Sequence, residues 1–182
     1  EDEEISTLAR KAFEKQGMKI LTGAKVAKLE KSKTGVKATI EIAGKTETVT
    51  ADRVIMAVGI VANTENIGLE KTAVKIERGQ IVTDAYGKTA EPGIYAIGDV
   101  AGAPWLAHKA SHEGIICVEK IKGLPDVHPM KRENIPGCTY CHPQVASVGL
   151  TEKAAKEKGY ELKIGRFPFM GNGKAVALGE PE

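Results

Sequence analysis

Thr89-Ala90-Glu91-Pro92-Gly93-Ile94-Tyr95-Ala96-Ile97-Gly98-Asp99 turns apolar at Gly93 and stops abruptly at a carboxylate. Residues 93–99 read as a strand buried on both faces, the pattern of a parallel sheet flanked by helices. In α/β folds ligands bind at the carboxyl ends of such strands, which is where Asp99 stands. Gly98 allows a close backbone approach, and an ionised Asp only accepts hydrogen bonds, so the pair suits the hydroxyls of a polyol. Ala101-Gly102-Ala103-Pro104 is a loop whose proline is well placed to open a helix. Residues 105–122 read as that helix, closed by Gly123, with Leu106, Ala110, Ile115, Val118 and Ile121 expected inward. Its first turn, Trp105 to His108, offers unpaired backbone N–H groups and the positive end of the helix dipole, both of which attract negative charge. A reduced flavin carries such charge along its N1–C2=O edge, and a helix start aimed there helps to set its potential.

Residues 89–99 resemble the second FAD motif of the pyridine nucleotide–disulfide oxidoreductases. Trp105-Leu106-Ala107-His108-Lys109-Ala110, followed by Glu113-Gly114, is similar to the version found in the dihydrolipoamide dehydrogenases of that family; glutathione and mercuric reductases usually differ there. The resemblance implies that Asp99 binds the ribityl chain of FAD. It also implies that Trp105, Leu106, Ala107 and His108 line the isoalloxazine, with the Ala107 N–H near the flavin carbonyl.

The resemblance covers nearly the whole chain and implies three segments. Residues 1–62 would be the C-terminal half of an NAD-binding domain, 63–131 the second segment of an FAD-binding domain, and 132–182 the N-terminal part of an interface, or dimerisation, domain. The fold class expected is therefore α/β: pieces of the FAD/NAD(P)-binding fold, mixed sheets with helices, followed by part of an α+β dimerisation domain. Val54-Ile55-Met56-Ala57-Val58 is a second continuous apolar run, ended by Gly59, and reads as another strand buried on both faces. In the family a Gly at this point is usually followed by Arg and Pro before Asn; here Ile60, Val61 and Ala62 intervene before Asn63. By the resemblance Gly59 lies against the nicotinamide ribose and Val26 touches the adenine end of NAD. The GxGxxG fingerprint that cradles the diphosphate is expected before residue 1, and the dehydrogenase likeness implies NAD.

Elsewhere the elements are read from periodicity. Ile5, Leu8, Ala9, Ala12 and Phe13 form one helical stripe, with Gly17 as its closing residue. Residues 18–21, 25–31, 36–42 and 47–50 read as strands, the last two forming a polar hairpin around Ala43-Gly44-Lys45, and residues 80–83 read as a further short strand. Residues 124–129 look like a linker. Beyond it, strands are expected at 144–148, 162–169 and 175–178 around a helix at 152–158, with Thr151 as N-cap and Gly159 closing it. The lysines of that helix form a solvated face.

Bulk properties narrow the function further. A net charge of +2, from 26 basic and 24 acidic residues, singles out neither nucleic acid nor membrane as a partner. At 4% of the chain, aromatics are too few for a base-stacking platform. No apolar run approaches the roughly 18 residues of a membrane span. The three cysteines, 117, 138 and 141, do not suggest a disulfide-stapled secreted domain. A bacterial cytoplasm, or a mitochondrial matrix, with reduced thiols is the location expected.

Cys138-Thr139-Tyr140-Cys141-His142 matches C-x-x-C-H, the pattern for covalent haem attachment. Its flanks read as strand, however, with no distal axial ligand obviously placed. For zinc the candidate ligands are Cys138, Cys141, His142 and His128, but a single C-x-x-C lacks the second ligand pair of a structural site, and a redox C-x-x-C would want a helix start beside it to acidify a thiol. Structural thiols are the preferred reading, with no metal ligands. His112 and His128 are read as an exposed helix residue and a linker residue.

The resemblance implies a parent enzyme that oxidises dihydrolipoamide to lipoamide and passes electrons through a disulfide and FAD to NAD. It would be a homodimer acting on the lipoyl domains of 2-oxo acid dehydrogenase or glycine-cleavage complexes. The family's reactive C-x-x-x-x-C pair is not in this sequence, and neither is its C-terminal His–Glu base, so no catalytic residue is assigned. The chain reads as an interior fragment, and on its own it is expected to show no turnover. The alternatives are another disulfide oxidoreductase, of mercuric or glutathione reductase type, and a C-x-x-C-H haem or metal module.

Overall fold

The computed structural model describes residues 1–180. In chain order the elements are α1 (Glu3–Lys15), β1 (Lys25–Lys31), β2 (Val36–Ile42), β3 (Lys45–Ala51), β4 (Ile76–Glu77), β5 (Gln80–Ile81), α2 (Ala107–Lys122), β6 (Gly137–Thr139), β7 (Val145–Ser147), α3 (Glu152–Glu157) and α4 (Gly173–Leu178). They gather into two compact units, one of residues 1–57 with the chain from 136 onward, the other of residues 58–135. Pro181 and Glu182, which end the expected 132–182 segment, lie outside the described residues. The mixture of helices and small sheets is of the expected α/β class, but every strand pairing among the described residues is antiparallel.

In the first unit, α1 begins with Glu3 and Glu4 at the positive end of its dipole. It ends as the sequence predicts: Met18 N–H reaches Phe13 O at 3.1 Å and Gly17 N–H reaches Glu14 O at 3.0 Å, a Schellman closure. Strands β1, β2 and β3 form an antiparallel meander, and the two-residue turn at Ala43-Gly44 has positive φ at both positions, 48° and 77°. That geometry is a type I′ turn, whose twist matches the strands it joins. Further along, β6 pairs with β7 so that Cys138 faces Ala146. The Thr151 hydroxyl caps α3 by accepting from Ala154 N–H at 3.2 Å. Val145, Ala155 and Ala175 make this unit's small buried core.

The second unit is mostly loop, held by side chains that bond to backbone. Asp84 Oδ1 accepts from the N–H groups of Tyr86 and Lys88 at 2.8 and 2.9 Å. The Thr89 hydroxyl donates to Ile94 O at 2.8 Å. Ala96 N–H donates to Gly87 O at 2.8 Å, and Ile81, Ala96 and Cys117, the last on α2, are the buried apolar side chains among this unit's described residues.

Several expectations are corrected. Residues 54–58 form no strand, and Ile55 and Val58 are 90% and 88% exposed. A strand exists only through its neighbours' hydrogen bonds, and no described strand offers this run a parallel ladder. Residues 94–97 lie outside any sheet, with one isolated β-bridge, Lys88 to Tyr95, as their pairing among the described residues, and the chain then turns into a 3-10 turn at Gly98–Ala101; Ala96 and Gly98 are inward and Tyr95, Ile97 and Asp99 outward. Residues 18–21 and 162–168 are irregular. The stretch read as a strand at 175–178 lies in α4, because Asn172 caps its start, accepting from Ala175 N–H at 3.1 Å, and Ala and Leu favour a helix there. Finally, α2 starts at Ala107 rather than Trp105, and Pro104 belongs to the loop before it. Its inward stripe is Leu106, Lys109, Ala110, Glu113, Gly114 and Cys117, whereas Ile115, Val118 and Ile121 face outward at 55%, 65% and 55% exposure.

Candidate functional site

The Asp99 turn and the start of α2 come together as the sequence predicts, though by a different device. Gly98–Ala101 forms a 3-10 turn entered from extended backbone at Ile97. Gly98 is buried with φ +74°, and a Cβ there would stand 3.2 Å from the Ala110 Cβ. Only glycine reconciles that conformation with that contact. The turn therefore lies directly on the first turns of α2, with Asp99 exposed beside Gly98. Among the described residues the Asp99 carboxylate makes no hydrogen bond or ion pair, so all its acceptor capacity faces outward.

What seats the turn is a side chain to which sequence reasoning gave no role. Lys109 is 1% exposed, and its ammonium donates to Gly98 O at 3.1 Å and Gly102 O at 2.7 Å. Its third partner is Glu113 Oε1 at 3.0 Å, while Glu113 Oε2 accepts from Gly98 N–H at 2.7 Å. A buried ammonium is tolerated only when all its donors are met, and here they are. The signal was present in helical spacing: Lys109 and Glu113 fall on the same stripe as Leu106, Ala110 and Cys117.

The helix start suits an anion. Leu106 is the N-cap residue, no side chain caps the end, and no acidic residue stands in the first turn. Ala110 N–H is the first to find an intrahelical acceptor, at Leu106 O, so the positive end of the helix dipole lies at the turn that begins with Ala107. Trp105 is 41% exposed, Leu106 half-buried, and Ala107 and His108 exposed. An outward carboxylate beside an uncapped helix start fits a ligand that combines hydroxyls with an electron-rich edge, as FAD does.

The other predicted positions lie elsewhere. Val26 sits on β1 opposite Ile40, next to a register shift, and is 57% exposed. Gly59 belongs to the second unit, with φ +112°. Cys138 is exposed on β6, and the Cys141 thiol donates to Pro143 O at 3.0 Å. His142 Nδ1 stands 3.6 Å from Glu180 Oε1. Among the described residues no three His, Cys, Asp or Glu side chains gather as metal ligands, and no helix is long and apolar enough to cross a membrane. Cys117, buried on the inner face of α2, has its thiol pKa pushed up, first by burial and then by the Asp84 carboxylate.

Comparison with known proteins accords with this geometry. The profile of the pyridine nucleotide-disulphide oxidoreductases matches residues 1–114, and that of the family's dimerisation domain matches residues 135–182. Dihydrolipoyl dehydrogenase of Rhizobium etli is 60% identical over all of this chain, and that of Zymomonas mobilis 54% identical over 98% of it. The chain spans only 38% and 39% of those two relatives. Among solved structures, LpdA of Mycobacterium tuberculosis superposes with a TM-score of 0.87 at 25% identity, covering 100% of this chain and 39% of its own. The HOCl-induced flavoprotein disulfide reductase RclA of Escherichia coli, as the Cu(II) complex of a cysteine-to-serine mutant, shares the fold, with a TM-score of 0.87 at 23% identity over 100% of this chain and 40% of its own. With one profile running through the Asp99 turn and the other beginning at residue 135, the chain belongs to the pyridine nucleotide-disulphide oxidoreductase family.

Proposed function

We propose that this chain is part of an FAD-dependent dihydrolipoyl dehydrogenase, which oxidises dihydrolipoamide to lipoamide and reduces NAD⁺ to NADH with release of a proton. The observation that carries the proposal is the Gly98–Asp99 turn packed on the uncapped start of α2. FAD supplies the two-electron redox step between dithiol and nicotinamide. Asp99 accepts hydrogen bonds from the ribityl hydroxyls, and the Ala107 amide with the helix dipole stabilises negative charge on the flavin edge. Trp105, Leu106 and His108 complete the ring's surroundings. Val26 and Gly59 serve NAD.

On this proposal residues 1–62 belong to the NAD-binding domain, 63–131 to the FAD-binding domain and 132–182 to the dimerisation domain. The full-length enzyme is a cytoplasmic homodimer that takes lipoyl domains of multienzyme complexes as its partners.

The full-length protein tests this directly. It is expected to purify yellow, with flavin bands in its visible spectrum, and to form NADH from dihydrolipoamide and NAD⁺. Asp99→Asn is expected to weaken FAD retention by about 10–100-fold, the value of hydrogen bonds to a charged acceptor. A colourless protein, a haem Soret band, or an Asp99→Asn variant that holds FAD like the wild type would each count against the proposal.

A further inference from the structure

The expected sheet edge does not deliver Asp99, because among the described residues one isolated β-bridge, Lys88 to Tyr95, is the β-pairing of the segment before it. Something else has to hold a carboxylate in place for a ligand, since a binding group is only as well placed as the atoms behind it. We propose that Lys109 and Glu113 are the positioning residues of the flavin site, an ion pair that replaces the missing sheet by gripping both ends of the Asp99 turn. The inference rests on the flavin proposal and extends it to two residues that do not face the ligand.

The geometry is specific. The Lys109 ammonium holds the carbonyl at each end of the turn, Gly98 at 3.1 Å and Gly102 at 2.7 Å. Glu113 holds the ammonium through one oxygen at 3.0 Å and the Gly98 N–H through the other at 2.7 Å. Both polar groups of Gly98 are thus fixed to α2, and Asp99 stands between the two gripped glycines. At the end of the turn Gly102 N–H also donates to Asp99 O, at 3.2 Å. Because both residues lie on α2, the same pair sets the turn's height against the helix start at Ala107. Carboxylate and helix start are therefore presented as one rigid unit, which is what simultaneous recognition of a polyol and a ring edge requires.

Glutamate is needed rather than glutamine. Both of its oxygens accept from donors, and an amide would place an N–H against one of them. Lysine is needed because no apolar side chain can satisfy two carbonyls and a carboxylate at once.

The test uses the full-length holoprotein with Lys109→Met, Glu113→Gln and the double variant Lys109→Met/Glu113→Leu. It reads FAD affinity, thermal stability and amide hydrogen exchange at residues 98–102. Lys109→Met is expected to weaken FAD binding by about 10–100-fold, the usual effect of removing a supporting layer around a site, with faster exchange at Gly98. Glu113→Gln follows in the same direction with a smaller effect. The double variant leaves no buried charge unpaired, so its thermal stability returns towards the wild type, while FAD binding stays weak and exchange stays fast. If the double variant recovers FAD affinity together with stability, the pair is merely structural and the inference is overturned while the flavin proposal stands. If the wild type holds no FAD, the flavin proposal is overturned. Exchange then decides the grip alone: acceleration at Gly98 in the single variants sustains it, and unchanged exchange refutes it.

Discussion

Gly98 and Cys117 lie on the same inner surface of the second unit, and each makes a prediction that depends on one atom. At Gly98 an added methyl would meet the Ala110 Cβ at 3.2 Å while φ stays at +74°. Left-handed backbone costs a residue with a Cβ about 1–2 kcal/mol, so Gly98→Ala should lose at least that much in denaturant unfolding. A neutral result would mean that the turn can move away from α2. For Cys117, burial and the Asp84 carboxylate both raise the thiol pKa, so the folded state holds its proton more tightly than the unfolded chain. The stability this contributes is fully present below the ordinary thiol pKa of about 8.5 and is lost as the pH climbs through it towards the raised value. Stability measured from pH 8 to 10 should therefore fall more steeply in the wild type than in Cys117→Ala. Thiol labelling at pH 8 should modify exposed Cys138 first and buried Cys117 last. Parallel pH slopes, or early labelling of Cys117, would contradict this.

At the scale of elements, the hairpin between β2 and β3 shows what local sequence controls. Ala43 and Gly44 both take positive φ, at 48° and 77°, yet Ala43 is a residue that resists it. Ala43→Asn supplies the residue a type I′ turn favours and should stabilise the protein by about 0.5–1 kcal/mol in chemical denaturation; a loss of stability would show that the turn is not type I′ in solution. Helix α1, the meander and α3 were legible because periodicity, a cap or a turn residue specifies each from within its own few residues. The runs at 54–58 and 93–99 were misread for the opposite reason. An apolar run such as Val54 to Val58 signals burial, but pairing is a property of neighbours, and the described strands supply none. The likeness at Asp99 and at 105–108 singled out a turn and a helix start that the structure packs against each other. It includes Lys109 but gives it no role, because a lysine is ordinarily exposed and its partners are the carbonyls of Gly98 and Gly102 and the carboxylate of Glu113. Backbone acceptors leave no mark in a residue pattern. The inward stripe of α2 was displaced for a related reason: Ile115, Val118 and Ile121 were placed inside on hydrophobicity, whereas the contact with the Asp99 turn requires the face that carries Lys109 and Glu113.

At the scale of the whole molecule, surface area separates what the chain buries from what it leaves open. Its accessible surface is 14513 Å², whereas a folded monomer of 19.4 kDa exposes about 8,500 Å². Even two separate globules of half that mass would expose only about 10,000 Å² together, so the excess does not depend on how the two units are arranged. It lies in the units themselves: among the described residues the buried apolar side chains are Ile81, Ala96, Cys117, Val145, Ala155 and Ala175. Meanwhile Ile55, Met56, Val58 and Val61 stand 90%, 74%, 88% and 83% exposed in one stretch without secondary structure. Backbone that is open to solvent and outside any ladder is where proteases cut first. Trypsin acting at Arg53 and elastase acting at Val58 and Val61 should therefore cleave the isolated 182-residue chain before any bond within α2 or the β1–β3 meander, and the isolated chain should bind a hydrophobic dye. If the proposed function holds, a full-length protein gives this apolar run further fold to pair with, so these bonds should resist cleavage there under the same conditions. Mass spectrometry of the first fragments decides the matter. Initial cuts inside α2 in the isolated chain, or equal rates at residues 53–61 in chain and full-length enzyme, would mean that the open stretch is not the incomplete part of the fold.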